Sequence, residues 1–283
     1  MTGGDTIVRG RSRPGASGDD FVVGDVDGPE AMASCMALYA DVMGLRPGDG
    51  GVNPRLLTAL QANSGVVVDA HWGRELVGFA YSFLAREPLN GGVCAAGEPA
   101  WRFYQYSQLA VVARAHQGKG IGRRLKHAQR DRCLAEGITL MRWTFDPVKT
   151  RNAHFNLDVL GGRLTAVKPA LYGTDGFGDD TGEVTDRFLV DWHLTEPPRA
   201  VRPLIPRAGW RPGSVHHDGE DVIVVVPAQW QNHRAEHGAA AAADLRRRLC
   251  ETFEAVLTEH EGVSCRRLDE ELAAYRFVPR RAD

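Results

Sequence analysis

The chain has 283 residues, of which 43% are apolar and 25% charged, and its net charge is −2. These are ordinary globular values, so disorder throughout, a collagen repeat and a coiled coil are excluded, and the charge balance argues against nucleic acid as a partner. Length alone allows one or two domains of ~100–200 residues each.

The cysteines stand at 35, 94, 133, 250 and 265, an odd number without a C-x-x-C pair. Neither a disulfide framework nor a zinc site fits that pattern, so a reducing, cytoplasmic setting and no metal are expected. No apolar run approaches the ~20 residues that a membrane span needs. Residues 1–20 are Gly-, Arg- and Ser-rich without an apolar segment and read as a flexible tail.

After Asp27-Gly28-Pro29, the residues Met32, Met36, Tyr39 and Met43 mark one apolar helical face. Residues 46–51 read as a loop, and Asn53-Pro54 opens a short helix. Strands are expected over 65–71 and 75–84, joined by a Gly73-Arg74 turn. Residues 88–97 read as a Gly-rich loop, and 103–112 as a buried strand. A helix over 120–136 stops at Gly137, a strand covers 138–145, a short helix covers 152–160, and a further strand covers 185–194. Helices between strands at these intervals imply an α/β or α+β sheet. Prolines between 197 and 212 mark a linker. Beyond it the pattern gives a small β-α-β extension: a strand over 221–226, a helix over 239–260 and a strand over 275–278. The expected division is therefore a tail (1–20), a main domain (21–195) and an extension (196–283) packed upon it.

The most informative stretch runs from Leu109 to Leu125, where a buried strand ends in a glycine-rich turn and a helix begins at once. Amides at a helix start lack partners inside the helix and, with the helix dipole, favour an anion such as phosphate. A dinucleotide G-x-G-x-x-G would need glycine where Arg123 stands, and a P-loop would need Ser or Thr where Gly120 stands. The pattern present is Q-x-x-G-x-G, from Gln117, Gly120 and Gly122.

That motif, with Leu109-Ala110-Val111 before it and Phe145-Asp146-Pro147 and Asn152-Ala153 after the next strand, resembles the GNAT superfamily of acyl-CoA-dependent N-acyltransferases. The resemblance covers roughly residues 21–195 and points to a larger, less studied branch with a C-terminal extension. It implies a mixed, mostly antiparallel sheet, splayed at its fourth and fifth strands, with flanking helices. It implies acetyl-CoA or another acyl-CoA as co-substrate, held by Leu109, Ala110, Val111, Gln117, Gly118, Lys119, Gly120, Ile121, Gly122, Arg123 and Asn152. Acyl transfer by direct attack needs a base and sometimes an acid. Asp146, at the end of the fifth strand, is the first choice for the base. His154 and Glu98 are the alternatives. Many members carry a tyrosine acid on the fourth helix, but Leu157 stands there, so Tyr172, Tyr104 or Tyr106 is the substitute. The expected acceptor is the amine of a small molecule, possible amino acids among them. A non-catalytic acyl-CoA sensor and a protein lysine or N-terminal acetyltransferase remain open, as does a homodimer through the extension.

Overall fold

The computed structural model describes residues 21–45, 52–93, 99–174 and 182–280. The tail at 1–20, the loop at 46–51 and Glu98 lie outside the described residues. The strands are β1 (Phe21–Asp25), β2 (Val66–Trp72), β3 (Glu75–Val93), β4 (Pro99–Val112), β5 (Leu140–Phe145), β6 (Arg163–Lys168), β7 (Arg187–His193), β8 (Val215–Asp218), β9 (Asp221–Pro227), β10 (His260–Arg267) and β11 (Leu272–Pro279). The helices are α1 (Pro29–Met43), α2 (Pro54–Ala62), α3 (Ile121–Ala135), α4 (Thr150–His154), α5 (Trp230–His237) and α6 (Ala239–Val256). No helix is long and apolar enough to cross a membrane among the described residues.

All eleven strands form one sheet in the order β1-β2-β3-β4-β5-β7-β6-β10-β11-β9-β8. Among the described residues only β4 and β5 run parallel, and they pair solely at Gln105–Met141 and Tyr106–Arg142. Beyond those pairs the two strands part, as the resemblance implied. On the β3 side, Ser107 pairs with Ser82 and Leu109 with Tyr81, which leaves Gln108 in a bulge. A bulge bends its strand and frees backbone groups, which suits the start of a splay.

Alternation in β2 divides the core. Val66 and Val68 pack on Ile121 and Leu125 of α3, while Val67 packs with Met32, Cys35 and Leu57 of α1 and α2 on the other face. The Pro-initiated helices form as expected, with Asn53 capping α2 through the Arg55 amide at 2.9 Å. Met43 departs from the expected core face: it is 42% exposed.

Three further differences concern element extent. β3 runs on to Val93, through half of the segment read as loop, because it pairs with β4 as far as Val93–Pro99. β1 and β6 have no counterpart in the sequence reading. The short helix read over 152–160 is α4 followed by a π turn over Phe155–Val159, closed by the Leu160 amide on the Phe155 carbonyl at 3.0 Å. After the linker, the three expected elements are joined by β8, α5 and β10, giving β-β-α-α-β-β. The helix read to 260 stops at Val256, and the chain turns directly into β10.

The extension shares its core with the preceding sheet. Phe188 of β7 meets Phe253 of α6 with ring centroids 4.6 Å apart and Tyr275 of β11 at 5.4 Å. The Tyr275 hydroxyl donates to the Pro147 carbonyl at 2.6 Å. The backbone link is slight: β6 and β10 pair only at Leu164–Gly262, where a Cβ on the glycine would stand 2.5 Å from Leu164 Cδ1. A chain ending at Glu196 would uncover Phe188 and its neighbours. It is expected to aggregate or expose dye-binding apolar surface, as read by size-exclusion chromatography and dye fluorescence. A soluble monomer with a cooperative melt would show that the halves fold independently.

Candidate functional site

A groove of about 1170 Å³ opens where β4 meets the start of α3 and α4. Its walls include Ala110 and Val112 of β4, residues Gln117, Gly118, Gly120, Ile121, Gly122 and Arg123 of the turn and helix, and Asn152, His154 and Phe155. The turn is built for its shape. Gly118 and Gly120 have φ of +82° and +80°, a region that costs other residues strain. Gln117 Nε2 donates back to the Val112 carbonyl at 3.2 Å and closes the turn.

Gly120 caps α3 with no side-chain acceptor, and its carbonyl accepts from the Arg124 amide at 3.2 Å. The amides of the first turn are therefore left for an anion. No heavy atom lies within 4 Å of a Cβ built on Gly118 or Gly120, so the space in front of the turn is open. Arg123, Lys149 and Arg151 bring positive charge to the rim. From this turn, the β5-facing edge of Ser107–Val112 runs down the splay without strand partners. An uncapped helix start followed by a free strand edge fits a long ligand with a phosphate head and amide-bearing arm.

Most residues expected to hold the cofactor lie in this groove, with two qualifications. Val111 is 5% exposed and packs with Leu109 against the α1–α2 core, so at these positions only the backbone can face the ligand. The Lys119 ammonium lies 4.9 Å over the Trp72 ring and does not border the groove. Asn152 does border it, with Oδ1 accepting from Asn156 Nδ2 at 3.3 Å.

The candidate catalytic residues are not gathered in one place. His154 borders the groove, and its Nδ1 lies 3.0 Å from Asp158 Oδ2 and 3.2 Å from the Cys265 carbonyl. Both neighbours accept, so Nδ1 carries a proton. Asp146 lies behind the groove. Its Oδ1 accepts from the Val148 amide at 3.0 Å and from Arg246 at 3.3 Å, and no hydrogen bond to Oδ2 is formed among the described residues. Burial raises the Asp146 pKa, and Arg246 opposes the rise. Tyr172 is 54% exposed on the α1–α2 side, with Arg187 5.6 Å over its ring.

That side also carries Tyr106, whose hydroxyl reaches Thr144 Oγ1 at 3.3 Å across the mouth of the splay. Burial pushes the Tyr106 phenol up to about 12, so it keeps its proton at neutral pH. Arg142, two residues before Thr144, donates to Asp191 at 2.6 Å and Glu87 at 2.5 Å and lies 4.6 Å over the Tyr104 ring. The position expected to carry a fourth-helix tyrosine, Leu157, is buried at 3%.

Two groups of groove residues were not legible beforehand. Met43 ends α1 on the rim, and Ala228–Asn232, the corner between β9 and α5, forms a wall. Thr150 Oγ1 donates to the Ala228 carbonyl at 2.7 Å and ties that corner to α4. Neither carries a motif. The corner's one sequence signal is a cluster of polar residues, Gln229, Gln231 and Asn232, after a fully apolar strand.

No family model and no curated protein matches the chain. Among solved structures, it is similar to a GNAT-family acetyltransferase from Streptococcus pneumoniae, at 12% identity over 61% of this chain and 98% of that one, with a TM-score of 0.46. A GNAT family acetyltransferase from Elizabethkingia anophelis with acetyl-CoA bound is 14% identical over 62% and 99% of the two chains, with a TM-score of 0.42. The ribosomal-protein-S18-alanine N-acetyltransferase from Escherichia coli is 10% identical over 65% and 99%, with a TM-score of 0.44.

Proposed function

We propose that the chain is an acyl-CoA-dependent N-acyltransferase of the GNAT type, acting on the amine of a small molecule. One observation carries this reading: the uncapped start of α3 leads straight onto the free edge of β4, where β4 and β5 part. The α3 amides and the rim cations would hold the diphosphate, and the β4 edge would pair with the amides of the arm. A thioester laid along that edge meets the bulge at Gln108, whose freed backbone donors suit the carbonyl oxygen as charge develops on it.

In the transfer, the acceptor nitrogen loses a proton and bonds to the carbonyl carbon, the C–S bond breaks, and the sulfur takes up a proton. Asp146 is the proposed base. Its raised pKa brings it nearer the working pH. His154 is the alternative, already oriented by Asp158. Tyr172, with Tyr106 beside Thr144, is the proposed proton source for the sulfur.

Calorimetric titration with CoA, followed by thiol release from acetyl-CoA across a panel of amines, tests the reading. Absence of CoA binding would overturn it. Buried Leu157 favours a second reading, a non-catalytic acyl-CoA sensor. Binding without thiol release for any amine would select that one. For the base, Asp146→Asn is expected to lower kcat/KM by ~10²–10⁴ with CoA affinity unchanged. Near wild-type rates across pH in this variant would move the role to His154.

A further inference from the structure

An arm laid along β4 runs inward from the start of α3, so the rest of an acyl-CoA stays at the mouth of the groove. Beyond the diphosphate, that rest is an adenine on a ribose that carries a phosphomonoester. β4 and β5 run parallel, and α3 and α4 follow them, so both helix starts stand at this mouth. The groove has room there: at about 1170 Å³ it exceeds the roughly 300–1,000 Å³ of ordinary small-molecule pockets. Its lining holds the cations Arg123, Lys149 and Arg151, and no carboxylate among the described residues. A phosphomonoester carries close to two negative charges of its own, so this rim is charged for more than a diphosphate.

The corner between β9 and α5 closes the mouth beside α4. Thr150 Oγ1 donates to the Ala228 carbonyl at 2.7 Å, and the Ala228 amide donates to the Glu271 carbonyl at 2.7 Å. Trp230, 3% exposed, anchors the other side of the corner. Its Nε1 donates to Glu183 Oε2 at 3.2 Å, and the Arg246 guanidinium lies 4.9 Å over its ring. Gln229 and Asn232 are exposed on this fixed corner and line the groove, so a ligand meets them preorganised.

Asn232 Nδ2 donates to Gln229 Oε1 at 3.2 Å. That bond leaves Gln229 Nε2 to donate and Asn232 Oδ1 to accept, side by side. An adenine edge presents the complement, an amino donor beside a ring-nitrogen acceptor, and a carboxamide is the side chain that matches it. Arg151, the residue after Thr150, is exposed and has no carboxylate partner among the described residues.

We infer that the β9–α5 corner is the nucleotide subsite of the groove: Gln229 and Asn232 read the adenine edge, and Arg151 takes the phosphomonoester. This rests on the acyl-CoA reading above and adds the residues that recognise the nucleotide. Two of the three belong to the C-terminal extension, which thereby takes part in binding the donor substrate.

The test is calorimetric titration of the full chain with four ligands: CoA, dephospho-CoA, etheno-CoA, whose adenine edge is blocked, and phosphopantetheine, which lacks the nucleotide. The wild type is expected to bind CoA at least about tenfold more tightly than etheno-CoA. The double variant Gln229→Ala, Asn232→Ala, checked for folding by circular dichroism, should bring CoA down to the etheno-CoA affinity. It should leave phosphopantetheine unchanged. Arg151→Gln should reduce the preference for CoA over dephospho-CoA, and an unaltered preference would overturn the phosphate assignment. Equal affinities for CoA and etheno-CoA in the wild type would overturn the inference alone, as would a preference that survives the double variant. A double variant that weakens phosphopantetheine as much as CoA would also overturn it, since the corner would then act only by shaping the groove. Failure of all four ligands to bind would overturn the acyl-CoA reading together with it.

Discussion

Replacing Gly122 with valine is expected to weaken CoA binding by on the order of 10²-fold or more while the fold persists. A Cβ at this position would stand 3.7 Å from Phe155 Cζ and 3.9 Å from Val112 Cγ2, both ordinary contacts, so the helix itself accommodates a side chain. The valine methyls enter the groove in front of the α3 amides, where a diphosphate must approach the backbone closely. Two charge-assisted hydrogen bonds at ~1.5–3 kcal/mol each are then lost together, which sets the size of the effect. Gly122→Ala, whose single methyl fits, should lose far less. Calorimetry on both variants, with circular dichroism as the folding control, decides it. Unchanged affinity in folded Gly122→Val would place the phosphates elsewhere.

Lys126→Met should stabilise the protein at neutral pH and flatten its dependence on pH. The Lys126 amine is lowered from 10.5 to about 7, chiefly by burial, with the uncharged Cys133 thiol as its titratable neighbour. Below pH 7 both the folded and unfolded chains carry the proton, and the folded state bears the full cost of a buried cation. Between pH 7 and 10.5 the unfolded chain binds more protons, so stability rises with pH and levels off above that window. The total rise is about 5 kcal/mol at about 1.4 kcal/mol per pKa unit. Methionine keeps the length of the side chain and removes the charge, at the cost of one hydrogen bond to Ser107. Urea melts at pH 6, 7, 8.25 and 9.5 measure this. A wild type whose stability is level from pH 7 to 9.5 would mean that the lysine keeps its charge through contact with water.

The phosphate turn was legible because its chemistry is local. Gln117, Gly120 and Gly122 encode a turn, a cap and an open approach within six positions. The helix after Asp27-Gly28-Pro29 and the strand at 221–226 were legible for the same reason: caps, prolines and apolar runs act on their own neighbourhood. β6, β8 and β10 were not. Each is short or mixed in polarity, as in His260–Arg267, and its pairing is set by partners far along the chain. The polar network at Lys126 was equally hidden, since a lysine on a helix reads as solvated. Its trace in the sequence was Gln105 and Ser107, two polar residues on one face of a strand otherwise read as buried. Asp146 was read as a base from its place before Pro147 at the end of a strand. It also forms the turn, through the Val148 amide, and that bond uses only one of its oxygens.

The single β-bridge between Leu164 and Gly262 makes the sheet continuous in order but seamed in its backbone. Ladder hydrogen bonds do not fix the distance across the seam. Side chains do: the Phe188–Phe253–Tyr275 rings, Asp158 on Ser264 and Cys265, and Thr150 on Ala228. One wall of the groove, Ala228–Asn232, stands on the far side of that seam from α3 and α4. The width of the groove is therefore a property of the joint and of neither half alone. A ligand that touches both walls acts as a staple, so its binding energy and the cohesion of the two halves are drawn from one thermodynamic account.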